Sequence, residues 1–297
     1  MSASYKPALL VAIVRCVDAG RIHDETISLR AMAEEYLTMY WSQVVIYRLR
    51  HSRRDAAPPV IVQAILNTSN RERTRRLDEL SAPARTELVG VIERVLPINV
   101  LKAFHVSKPI GSAELFTWQK GWGEVTLTKD AVVFIRANGP VLTLIANYYW
   151  ARFLARLNAA PYIVDKLERL VPRRSSLDTF ARHLIELGES TCFYCNKRIT
   201  EPGDMQVDHF IPWTFVFEDK LWNLVISCQR CNSSKSDALA SEEALARLIS
   251  QNKIRTSSPS AKVVSMLSLQ RGGADLARLY ELALQERWPV WAGAPSS

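Results

Sequence analysis

The sequence predicts a mainly α chain with small β elements, an α+β fold. Three observations predict it. Apolar residues recur at helical spacing through most of residues 1–100 and again beyond residue 238. Period-two alternation of β-branched residues is confined to two stretches, near 124–136 and between 205 and 228. Two Cys-x-x-Cys pairs, Cys192/Cys195 and Cys228/Cys231, bracket the second stretch.

The elements follow in order. Leu9, Leu10, Ile13, Val14 and Val17 mark a helix from Pro7 to about Ala19, with Gly20 as its stop and Cys16 in its core. Ser28 caps a second helix through Leu29, Met32, Tyr36, Tyr40 and Trp41 toward Tyr47 and Leu49. After the basic run Arg48, Arg50, His51, Arg53 and Arg54, Pro58-Pro59 restarts the chain for a helix through Ile61 and Ile65. A second basic run, Arg71 to Arg76, precedes a helix from about Pro83 to Leu96. Either run is a solvated face or a phosphate-tracking surface.

Glu124 to Thr128 and Ala131 to Arg136, joined by Lys129-Asp130, predict a β-hairpin ended by Asn138-Gly139-Pro140. Val141 to Leu157 then predicts a helix with Tyr148, Tyr149, Trp150 and Phe153 in the core. Val171 to Ser176 is the expected boundary, and a helix from Leu177 stops at Gly188. Beyond the cysteine unit, Ala238 to Ile249 is helical, Ser257-Ser258-Pro259 is a break, and Val263 to Glu286 is helical with an interruption at Gly272-Gly273. The expected domains are 1–175, mostly helical and open to DNA or partner binding; 176–250, the cysteine-bearing unit; and 251–297, a helical C-terminal extension.

The chain has 297 residues and 48% hydrophobic composition, which excludes wholesale disorder. Its net charge of +8 favours an anionic partner, nucleic acid before membrane. The charge lies outside the cysteine unit, which holds 5 Lys/Arg against 6 Asp/Glu over residues 191–237. No apolar run reaches the ~20 residues needed to span a bilayer. Knuckle cysteines without a disulfide framework fit a reducing compartment, and a cytoplasmic chain is expected.

Four thiolates delivered as two such knuckles suit a structural Zn²⁺. Between them, Met205 to Pro212 and Trp222 to Ser227 read as strands joined by a long connection, and Asn232-Ser233-Ser234-Lys235 leads into a helix. That helix, packed across the hairpin, would set Asn232 beside Asp208, with Lys235 on the same face. Asp208 and the Asn232 amide are hard oxygen ligands for Mg²⁺ or Mn²⁺, and His209 can deprotonate a water. Lys235 would add a point charge at a phosphate oxygen.

These residues resemble the HNH (ββα-metal) endonuclease family. The family's pattern appears as Cys192/Cys195, Asp208-His209, Asn223, Cys228/Cys231 and Asn232. The final position is Asn in place of His, an HNN variant. The resemblance implies a metal-dependent endonuclease cutting DNA to 5′-phosphate and 3′-hydroxyl ends. His209 would be the general base, Asp208 and Asn232 the ligands of the catalytic metal, Asn223 the residue that pins the connection and orients His209, and the cysteines the ligands of a separate zinc.

Lys235 and Arg230 are the weaker nucleic-acid contacts, each with a competing reading as a solvated or locally paired cation. A zinc-binding adaptor without catalysis is the alternative for the whole unit. Structured RNA remains open as substrate, as does a protein partner or homodimer through the helical region. Restriction, phage defence or a mobile element is the expected setting by analogy.

Overall fold

The computed structural model describes residues 4–53, 57–102, 115–119, 121, 123–168, 176–257 and 272–293. The chain divides into two compact units. One is Met1–Asn158 with Ile163–Val171, the other Ala159–Tyr162 with Pro172–Ser297. Mainly α structure with small antiparallel sheets is what the sequence led us to expect. Arg54 and most of the expected boundary at 171–176 lie outside the described residues, as does the helix expected over 263–271.

In the first unit, helix α1 (Tyr5–Asp18) is buried on nearly every side, Cys16 included, so it is apolar almost all round. Helix α2 (Leu29–Trp41) begins where the Ser28 hydroxyl accepts the Ala31 N–H at 3.1 Å, and it runs into a π-helical turn over Ser42–Ile46. Helix α3 (Val60–Glu72) follows Pro59, and α4 (Ala82–Val95) is capped by Ser81.

The expected 124–136 hairpin is overturned. Strands β1 (Thr26–Ser28), β2 (Phe116–Thr117) and β3 (Glu124–Leu127) form a small sheet with β3 in the centre, antiparallel to both neighbours. After β3 the chain enters helix α5 (Lys129–Ala155). The Thr128 hydroxyl accepts the Ala131 N–H at 3.1 Å, and Asp130 complements the helix dipole in the first turn. Lys129-Asp130 is therefore a helix start and not a turn.

Gly139-Pro140 lies within α5 instead of ending a hairpin. A Cβ at Gly139 would stand 3.2 Å from the Val14 Cγ1 and Asp18 Oδ2 atoms, so a larger residue would push these side chains of α1 aside by a few tenths of an ångström. Trp150 is core as expected, but Tyr148 and Tyr149 are 54% and 59% exposed, because α1 covers a single face of α5. With 27 residues, α5 is also long and apolar enough to cross a bilayer by length and composition, contrary to expectation. Its α1-facing side is built into the core of this unit.

Three arginines of the second basic run are locally paired. Arg71 meets Glu87 at 2.8 Å, Arg76 meets Asp78 at 2.6 Å, and Arg75 donates to the Val45 carbonyl. In the first run, His51 is buried, with Nδ1 2.8 Å from the Ser4 hydroxyl and its ring against Tyr40. Burial pushes its pKa down to about 3, so the imidazole stays neutral in the fold while the unfolded chain takes up a proton near pH 6.5. Stability from this group is complete above pH 6.5 and is lost as pH falls toward 3, at roughly 1.4 kcal/mol per pH unit. Urea unfolding followed through Trp41 and Trp150 should show this slope between pH 6.5 and 4, and His51→Phe should flatten it.

The second unit holds helix α7 (Asp178–Glu186), strands β4 (Met205–His209) and β5 (Leu224–Cys228), and helices α8 (Trp213–Val216), α9 (Gln229–Lys235), α10 (Glu242–Thr256) and α11 (Gly272–Gln285); the short helix α6 (Ile163–Glu168) belongs to the first unit. β4 and β5 pair antiparallel, with Asp208 opposite Val225 and His209 opposite Leu224. Phe210, Ile211, Phe215 and Val225 share one core with Leu248 of α10 and Leu276 and Tyr280 of α11. The segment expected as a C-terminal extension thus packs into the cysteine-bearing unit. Among the described residues α11 begins at Gly272-Gly273, and the part of the helix expected before that pair lies outside them.

Candidate functional site

Strand, connection, strand and helix appear in the expected order, and α9 packs on both β4 and β5. The first knuckle is a tight turn. The Cys192 N–H donates to the Lys197 carbonyl and the Asn196 N–H to the Cys192 carbonyl, with Asn196 in the left-handed region at φ 60°. The second knuckle joins the end of β5 to the start of α9.

The sulfurs of Cys192, Cys195, Cys228 and Cys231 lie within 4.8 Å of one another, with Cys195 and Cys228 at 3.9 Å. A tetrahedron of Zn–S bonds near 2.3 Å sets its sulfurs about 3.8 Å apart, so the cage fits zinc. Burial and the neighbouring sulfurs push the Cys231 thiol well up, so binding a metal must displace its proton. Leu184, Ile199, Leu221, Leu224 and Ile226 pack around the cysteines as a second small core.

The Asn223 side chain is fully buried. Its Oδ1 accepts the Ile211 N–H at 2.8 Å and its Nδ2 donates to the Ile211 carbonyl at 2.9 Å. Both amide groups are used on one backbone residue, which ties the connection to the chain just past His209. Two residues of α10 hold that segment from behind. Arg255 pairs with Glu189 at 2.7 and 2.8 Å and donates to the Leu221 and Leu224 carbonyls, and Asn252 donates to the Trp222 carbonyl.

His209 ends β4 with its ring nearly buried. Its Nε2 lies 2.8 Å from Asp219 Oδ1. Asp219 returns to His209 because the connection folds back at Phe217, whose φ is 58° and whose ring lies against Trp213. The sequence reading missed Asp219, since ten residues of irregular connection separate it from its partner. Only a turn at Phe217 could have brought it back.

Asp208 has different partners. Its Oδ2 accepts from the Tyr194 hydroxyl and from the Lys235 ammonium at 2.9 Å, leaving Oδ1 without a hydrogen bond among the described residues. Burial and the Asp208 charge push the Tyr194 hydroxyl well up, so it stays a donor. Lys235 also donates to the His209 carbonyl at 2.8 Å, and its side chain is buried. The expected phosphate contact at Lys235 is thereby corrected: its ammonium joins Asp208 to the His209 backbone instead of facing solvent. Asn232 is half-buried one turn earlier on α9, and Arg230 is exposed at the start of that helix.

Residues 192–241 match the family model described as HNH endonuclease. No curated protein and no solved structure matches the chain. Residues 192–241, with a ββα hairpin pinned by Asn223 and a four-cysteine cage sized for a metal ion, are thus similar to the HNH endonuclease family, whose substrate is nucleic acid.

Proposed function

We propose that this domain is a working metal-dependent endonuclease that hydrolyses DNA phosphodiester bonds. One observation carries the reading: the ring of His209 is held through Nε2 by Asp219 at the end of a strand whose continuation Asn223 fixes. With Nε2–H donated to Asp219, Nδ1 keeps the lone pair that accepts a proton from water. The water oxygen attacks phosphorus, the bond to the 3′ oxygen breaks, and that oxygen takes up a proton, leaving 5′-phosphate and 3′-hydroxyl ends.

Asp208 Oδ1 and the Asn232 amide are the oxygen donors for Mg²⁺ or Mn²⁺. An ion held there would supply charge to offset that developing on the phosphate. Lys235 already neutralises the other oxygen of Asp208, so ion binding is expected to be weak until DNA brings its phosphates. The cysteine cage stays structural. The attached helical unit fits restriction, phage defence or a mobile element as setting, on analogy alone.

The pairing of Asp208 with Tyr194 and Lys235 favours a second reading, a zinc adaptor in which this carboxylate only ties α9 to β4. Cleavage of supercoiled plasmid in Mg²⁺ or Mn²⁺ separates the two. The nuclease reading expects cleavage that falls on the order of 100-fold in Asp208→Asn while zinc stoichiometry is unchanged. A zinc-loaded wild-type chain that cuts neither duplex nor single-stranded DNA, nor structured RNA, would leave the adaptor.

A further inference from the structure

We infer that the exposed face of α5 (Lys129–Ala155) is a self-complementary surface through which two copies of this chain pair antiparallel across Val141. The proposal concerns the first unit and does not depend on the nuclease reading.

One side of α5 is spent on the core: Ile135, Gly139, Ala146, Trp150 and Leu154 are buried. The opposite side is apolar and, among the described residues, uncovered. Val133, Phe134, Val141, Leu144, Ile145, Tyr148 and Tyr149 are between 46% and 68% exposed. Phe134, Val141 and Tyr148 recur every seven residues, the repeat that keeps a helix seam facing a partner helix. The stripe offers on the order of 700 Å² of apolar surface, above the few hundred that monomers ordinarily show and near the ~800 Å² per partner of a standard interface.

The partner is read from the symmetry of the stripe. An interface on a two-fold axis requires residue i to meet j and j to meet i. Around Val141, Phe134 and Tyr148 stand seven residues to either side, and Asp130 and Arg152 eleven. In an antiparallel pair, Val141 meets its copy, Phe134 meets Tyr148, and exposed Asp130 meets exposed Arg152 at both ends of the seam. Leu144 comes opposite Asn138 and Ile145 opposite Ala137, both smaller side chains. A parallel pair would set Asp130 on Asp130 and Arg152 on Arg152, like charges facing each other. A bilayer fits less well. The stripe is bounded by Asp130 and Arg152, and α1 already occupies the other side of the helix, whereas a spanning helix is apolar all round.

Sedimentation velocity on the full chain over a concentration series tests this. The expected species is twice 33.6 kDa. Val141→Asp, which sets two carboxylates together on the axis, should raise the dissociation constant about tenfold or more, without lowering the thermal midpoint measured at concentrations where both chains are monomeric. Asp130→Arg and Arg152→Asp should each weaken the dimer, and the double variant should restore it, since the antiparallel pair then has its charges exchanged. A wild-type chain that stays at 33.6 kDa, a dimer indifferent to Val141→Asp, or single charge variants with no weakening and no rescue would overturn the proposal. Flotation of the wild type with phosphatidylglycerol vesicles, lost in Val141→Asp, would assign the face to lipid and overturn it equally.

Discussion

Replacing His209 with alanine is expected to bring the proposed DNA cleavage down about 10²- to 10⁴-fold, while zinc content and the unfolding transition should stay as in the wild type. The expectation follows from where the ring sits. It ends β4, its only hydrogen-bond partner among the described residues is Asp219, and the backbone beyond it is held by Asn223, so truncating the ring removes the proton acceptor without releasing the strand. The comparison with Asp219→Ala makes the assignment sharper. If Asp219 positions the ring as proposed, its loss should lower kcat with KM nearly unchanged, and Asp219→Glu should restore part of the rate. Plasmid nicking under single-turnover conditions measures both. Undiminished cleavage by His209→Ala would show that another group takes the proton.

The parts of this site that the sequence displayed are those in which a motif is its own neighbourhood. Each Cys-x-x-Cys is a turn closed within a few residues, and the hairpin between them is read from two alternating runs, so the ββα order and the sulfur cage follow from local pattern. Asn223 is buried with both amide groups on the Ile211 backbone. Tyr194, Lys235, Asp219 and Arg255 act only across the fold. Tyr194 sits inside the first knuckle and reads as a spacer, yet it hydrogen-bonds Asp208; Arg255 ends a helix more than thirty residues from the Leu221 and Leu224 carbonyls it holds. The misreading at 124–136 has another cause. Val132, Val133, Phe134 and Ile135 carry strand propensity, but the Thr128 cap and the docking of Gly139 on α1 favour a helix, and tertiary packing outweighs propensities worth a few tenths of a kcal/mol each.

Removing the zinc is expected to dismantle the domain in part and not as a whole. Structural zinc in small sites contributes about 10–16 kcal/mol of apparent folding free energy, comparable to or larger than the net stability of a typical domain. The core that depends on it is built from the ligands themselves: Cys192, Cys228 and Cys231 are three of its eight buried members, the others being Leu184, Ile199, Leu221, Leu224 and Ile226. The larger core of Phe210, Phe215, Leu248, Tyr280 and Trp288 contains no ligand, and Arg255 and Asn252 grip Leu221 to Leu224 from α10 without passing through the cage. Cys231→Ser, or a strong chelator, should therefore abolish hydrogen-exchange protection over 191–199 and 228–235 while amides of α10 and α11 stay protected. Cleavage should vanish with it, because α9 carries both Asn232 and the Lys235 ammonium that joins Asp208 to the His209 carbonyl. Elemental analysis should return one zinc per chain in the wild type and none in Cys231→Ser. Protection lost uniformly across residues 176–293 would mean that the two cores fold as one, and protection kept at the knuckles would mean that the four sulfurs hold no metal.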